Sequence, residues 1–174
     1  MKTRFFMIMK IFTLSFALIF PLYSSPDFDQ SIFDKIKISQ EDLPNGFVFG
    51  KIPNFAKSTI QSNPWNMDRN AINKMTKNIY PDAEPSAVKG IYISIIAKET
   101  SPYNDDLVCF MILYKDASAA KKENQKLEDF TKFNRDRVLT INKDNLSVIL
   151  LSDETENFRY ILEFSKKIEE KLEL

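Results

Sequence analysis

Carboxylates are the side chains with the most chemistry to offer in this chain. Asp105 and Asp106 stand before one apolar run, and Asp153, Glu154 and Glu156 follow another. A pair such as Asp106 and Asp153 would suit acid–base hydrolysis, with one group protonated and the other ionised. Convergence of the two clusters would offer oxygens to a hard cation, although no calcium-loop spacing is present. The plainer reading is that acidic residues favour turns and the first turns of helices. Ser118 with Lys121 or Lys122 has the elements of a Ser–Lys pair, but their spacing is that of a solvated helix face. Cys109 is the only thiol and lies inside the apolar run Leu107–Tyr114. Buried there, it is a small hydrophobe with a raised pKa and not a nucleophile.

Missing residue types exclude more than the present ones suggest. With no His, the chain cannot build a His-based triad, a Cys–His dyad or a His-ligated zinc site. One thiol excludes Cys-ligated zinc, and three glycines leave no phosphate loop or dinucleotide fingerprint. No catalytic residue, metal or cofactor is therefore expected.

Aromatic side chains give a second kind of candidate. Phe47, Phe49, Phe55, Trp65, Tyr80 and Tyr103 lie in or beside irregular stretches. They are the expected ligand- or partner-binding set, roofing an apolar pocket or presenting a contact surface. The competing expectation is that the rings staple an N-terminal arm to the core.

The elements that must position these residues follow from periodicity. Residues 25–62 carry Pro26, Pro44, Gly46, Gly50 and Pro53 and read as an extended arm with a short strand near Phe47–Phe49. Pro44-Asn45-Gly46 is a turn signal. Asn63 and Pro64 are expected to open a helix carrying Trp65, Ile72, Met75 and Ile79 on one face. Ile91–Ile96 and Leu107–Tyr114 read as strands, the second buried on both faces. Asp116 is expected to cap a helix through Phe130, and Val138–Ile141 with Leu146–Leu151 to form a hairpin about Asn142–Asn145. Asp153 and Glu156 have capping-box spacing before a last helix. The expected class is α+β: an antiparallel sheet of about four strands (a ββαββα core), with helices packed on one face and an irregular N-terminal arm. Residues 63–174 are expected to be the compact α+β domain, one folding unit with the arm. Asn145-Leu146-Ser147 matches a glycosylation acceptor, a tripeptide frequent by chance.

Residues 1–24 carry the clearest functional signal. Lys2, Arg4 and Lys10 precede the uncharged run Ile11–Tyr23, and Ser24, Ser25 and Pro26 follow. This is the layout of a signal peptide, with Ser24–Ser25 the best bond for cleavage. Its removal leaves 150 residues, enough for one domain with a real core. The remainder holds 21 basic against 24 acidic residues, which argues against nucleic acid as a partner. The expectation is an exported protein in the periplasm, at the cell surface or outside the cell, without a disulfide. It would bind a protein partner or a small apolar ligand without catalysis. A membrane contact is expected only if the leader stays uncleaved, as in an anchored structural or assembly factor. A His-free, carboxylate-dependent hydrolase is the remaining alternative.

Overall fold

The computed structural model describes residues 28–54, 57–58 and 60–173; the leader, its Ser24–Ser25 bond and Phe55 lie outside them. The long strand candidates form where the sequence places them. β3 (Val88–Lys98) and β4 (Leu107–Tyr114) pair antiparallel, and β5 (Val138–Lys143) and β6 (Leu146–Ser152) make a tight hairpin whose Asp144 has φ +51°. β6 lies against β4, so β4 is central.

The sheet has six strands and not about four. Two short strands, β1 (Phe47–Phe49) and β2 (Trp65–Asn66), pair side by side with β3, giving the order β1-β3-β4-β6-β5 with β2 also on β3. β2 replaces what the sequence suggested was the first turn of a helix. The helix α2 (Arg69–Ile79) starts five residues later than expected, where Asp68 accepts a hydrogen bond from the Ala71 N–H at 2.8 Å. Asn63 does not cap it, because its side chain is bonded to β3 and to Gly50.

Helices cover both faces of the sheet, and not one. α2 and α3 (Ala117–Phe133) pack on the face carrying Ile91, Ile93, Ile112 and Ile149. On the other face, α1 (Ile32–Ile36) and α4 (Phe158–Leu172) cover Met111, Leu113, Val148 and Leu150. The cause is in β4 and β6, which are apolar at successive positions of both parities and so need two covering layers.

The arm is not simply extended. It holds α1 and a short 3-10 turn at Gln40–Asp42 before Gly46 takes φ +81° in the turn leading to β1. Phe33 of α1 lies so close to β3 that a Cβ at Gly90 would come within 2.9 Å of its ring. The capping predicted for α3 is present, with the Asp116 carboxylate accepting from the Ala119 N–H at 2.8 Å. The capping box predicted for α4 is absent. A 3-10 turn at Thr155–Asn157 intervenes, and Asp153 accepts from the Asn157 side chain at 2.9 Å. Among the described residues, no helix is long and apolar enough to cross a membrane.

Candidate functional site

The predicted aromatic residues do not meet in one place. Phe47 is buried on the α4 face, its ring 4.8 Å from that of Tyr160, and half-buried Phe49 packs into the same cluster. Trp65 and Tyr80 are buried on the opposite face. Phe47 and Trp65 fasten the N-terminal segments to the core by burying large apolar area. Of the described members, Tyr103 alone projects, 62 % exposed, in the β3–β4 loop. The Lys51 ammonium lies 5.5 Å from its ring centre, at the rim of an open hollow lined also by Pro53, Asn54 and Lys57. Among the described residues, the buried members of the set lie on two opposite faces of the sheet and do not converge on one pocket.

Tyr80 belongs to a buried polar brace. Its hydroxyl donates to Glu123 at 2.7 Å and lies 3.2 Å from the Tyr114 hydroxyl. The Glu84 N–H and the Lys126 ammonium also reach the Glu123 carboxylate, at 3.2 and 2.7 Å, and Lys126 donates to the Asp82 carbonyl. Burial pushes the Tyr114 phenol up to about 12. Burial, with Tyr114 beside it, drives Tyr80 well above the ordinary phenol range. Neutral phenols and a carboxylate met by three donors make a satisfied network that fixes α3 against the sheet.

The acidic candidates are similarly engaged. Asp106 is buried, accepts from the Lys98 N–H at 2.8 Å and has the Lys98 ammonium 3.7 Å away. The Asp153 N–H donates to the Asp106 carbonyl, so their main chains are neighbours, yet the Asp153 carboxylate serves Asn157. Among the described residues, no group of three or more acidic or thiol ligands is placed to hold a metal ion. Cys109 is fully buried and unpaired, and burial raises its thiol pKa. Asn145 is buried, its side chain bonded to Phe28 and Tyr114, so the glycosylation tripeptide is closed in the folded protein. Ser118, Lys121 and Lys122 are exposed, as a solvated helix face requires.

A candidate site that the sequence did not reveal lies along β5. The Ser152 N–H donates to the Arg137 carbonyl, which fixes the alternation of the hairpin. Leu139, Ile141 and Lys143 turn their main-chain groups to β6, and Val138, Thr140 and Asn142 turn theirs outward. The Val138 N–H is bonded to Asn134. Among the described residues, nothing pairs with the outward N–H groups of Thr140 and Asn142 or with the three outward carbonyls. Two grooves flank this edge. One, of about 460 Å³, runs beside α3 and is lined by Lys121, Asn124, Gln125, Glu128, Asn142 and Asp144. The other, of about 320 Å³, runs beside α4 and is lined by Ile141, Lys143, Glu169, Leu172 and Glu173. The Lys143 ammonium is held by the Leu172 carbonyl. Added strands bind by main-chain hydrogen bonds and place alternate side chains on the two faces of a sheet, which is what an edge between two grooves can accommodate.

Comparison with family models, with curated proteins and with solved structures finds no match to this chain.

Proposed function

We propose that this chain is an exported, non-enzymatic module that binds a protein partner by accepting an extended segment along the outer edge of β5. The observation that carries the reading is the pair of outward N–H groups at Thr140 and Asn142, set between two grooves. Export rests on the leader sequence, and the engagement of Asp106, Asp153 and Glu123 in structural bonds favours binding over catalysis. The mixed polar lining of the grooves favours a polypeptide over a small apolar ligand. A second copy is a poor occupant. In the antiparallel register that matches all three outward residues, with Thr140 opposite Thr140, Arg137 faces Lys143 and Asp136 faces Asp144. Like charges directly opposite are destabilising.

The test is amide hydrogen exchange on the full chain in excess of a neutral, end-capped eight-residue peptide of alternating Thr and Gln. Slowed exchange at Thr140 and Asn142 is the expected result, with the slowing at Asn142 abolished by Thr140→Pro. Protection confined to other strands overturns the reading, as does protection of these two amides before peptide is added. Mass spectrometry of the exported protein should find Ser25 as its first residue.

A further inference from the structure

We infer that the segment accepted along β5 is amphipathic, with aliphatic residues facing α4 in alternation with hydroxyl or amide residues facing α3. This rests on the strand-addition reading and names the chemistry of the partner at that edge. Charge does not distinguish the two sides. Each groove is lined by one lysine and two carboxylates: Lys121, Glu128 and Asp144 beside α3, and Lys143, Glu169 and Glu173 beside α4. The uncharged lining does distinguish them. Beside α3 it is Asn124, Gln125 and Asn142, with Ala117 the one apolar side chain among the described residues. Beside α4, Ile141 and Leu172 line the groove, and Asn142 borders it from the strand.

The pairing of β5 with β6 fixes which of its side chains stands on which side. Thr140 lies opposite Ile149, a core residue of the α3 face, and Asn142 lies opposite Ser147, whose hydroxyl donates to Asn124 of α3 at 2.6 Å. Leu139 and Ile141 lie opposite Leu150 and Val148, core residues of the α4 face, and are themselves only half-buried. A residue of an added strand shares the face of the β5 residue directly opposite it. Those opposite Thr140 and Asn142 therefore face α3. There the Asn124 Oδ1 is taken by Ser147, so its N–H groups are what it offers to an incoming oxygen. Those opposite Leu139 and Ile141 face α4, where an aliphatic side chain covers apolar surface that β5 leaves open. The opposite phase would strip water from the α3-side amides without replacing their hydrogen bonds.

The experiment compares three neutral, end-capped eight-residue peptides on the full chain, by titration of the Thr140 and Asn142 amide resonances. One is the alternating Thr-Gln peptide. The second, Thr-Gln-Thr-Val-Thr-Val-Thr-Gln, carries both valines on one face. The third, Thr-Gln-Thr-Val-Val-Thr-Thr-Gln, has the same composition with one valine on each face. The one-faced peptide should bind about tenfold more tightly than the Thr-Gln peptide, since each aliphatic cross-strand pair adds a modest attraction. The two-faced peptide should gain no more than about threefold. Nuclear Overhauser contacts from the valine methyls of the one-faced peptide should reach Ile141 and Leu172 and not the Asn124 side chain, a readout that needs no substitution. Ile141→Thr should remove most of the preference. Equal binding of the three peptides at β5, or valine methyls seated against Asn124 and Gln125, overturns the inference and leaves the strand-addition reading standing. Binding of none of them there overturns both.

Discussion

The two edges of the sheet are finished in opposite ways. The outer side of β3 is sealed. The Gly50 N–H donates to the Ile95 carbonyl, the Met67 N–H donates to Ile91, and β1 and β2 pair with the stretches on either side. Between those two short strands the Asn63 side chain substitutes for main chain, accepting from the Ile95 N–H at 2.8 Å and donating to the Ile95 and Gly50 carbonyls. The outer side of β5 has no such cover among the described residues. An unpaired strand edge is a template for another chain, and proteins usually cover or charge it. Here one edge is closed by the protein's own N-terminal segments, and the other is left between two grooves with a charge pattern that opposes self-pairing. That contrast is what the strand-addition proposal rests on.

Proline scanning breaks the comparison most directly. Ile95→Pro removes an N–H that is bonded to Asn63 and should cost about 3 kcal/mol or more in chemical denaturation. Thr140→Pro removes an outward N–H, and proline is tolerated on such edges, so its cost should stay below about 1 kcal/mol while peptide binding is lost. Equal costs at the two positions would show that the edges do not differ as described. Asn63→Ala is the next largest effect. It leaves the Ile95 N–H unpaired, while the Ile95 carbonyl keeps its bond from Gly50, and should destabilise by about 2 kcal/mol, with faster exchange at the Ile95 amide and none of that change at Thr140.

A smaller effect sharpens the comparison on the α4 side. The Lys171 ammonium lies 3.0 Å from the Asp42 carboxylate and so ties α4 to the N-terminal segment. Burial opposes ionisation of Asp42, but hydrogen bonds from Ser39 and Lys171 outweigh it and hold its pKa below the ordinary 3.8. A depressed folded-state pKa contributes stability above the unfolded value that is lost as pH falls through the folded one. Asp42→Asn should therefore cost about 1 kcal/mol or less at neutral pH. The difference from the parent should fade below about pH 4 as the Asp42 carboxyl protonates, first in the unfolded and then in the folded chain. Denaturation midpoints measured across that range would decide it, and a gap that persists at low pH would rule out the ion pair as its source.

Much of the fold was legible in the residues. The apolar run of β4, the alternation in β3, the Asp116 cap and the Asn142–Asn145 hairpin are local signals, carried by neighbours in the chain. The candidate site was not legible. Thr140 and Asn142 are ordinary hairpin residues, and Ile141 and Leu172 are ordinary apolar residues, until α4 and β5 are brought together. The aromatic residues were conspicuous by type and place, yet most of them proved to be packing. Tyr80, Trp65 and Phe47 are drawn into the two cores because large rings gain most from leaving water.

The sequence by itself determined where the four long strands, the Asn142–Asn145 turn and the α3 cap fall, because hydrophobic period and turn chemistry act over a few residues. It also determined, through the absent His and the single thiol, which chemistries are closed to the chain. Only the tertiary structure decided that helices cover both faces, that Asn63 seals one edge of the sheet, and that β5 ends the other. Those outcomes depend on which distant segments pair. Strand pairing is made by main-chain groups that every residue carries alike, so side-chain identity leaves little trace of it in the sequence.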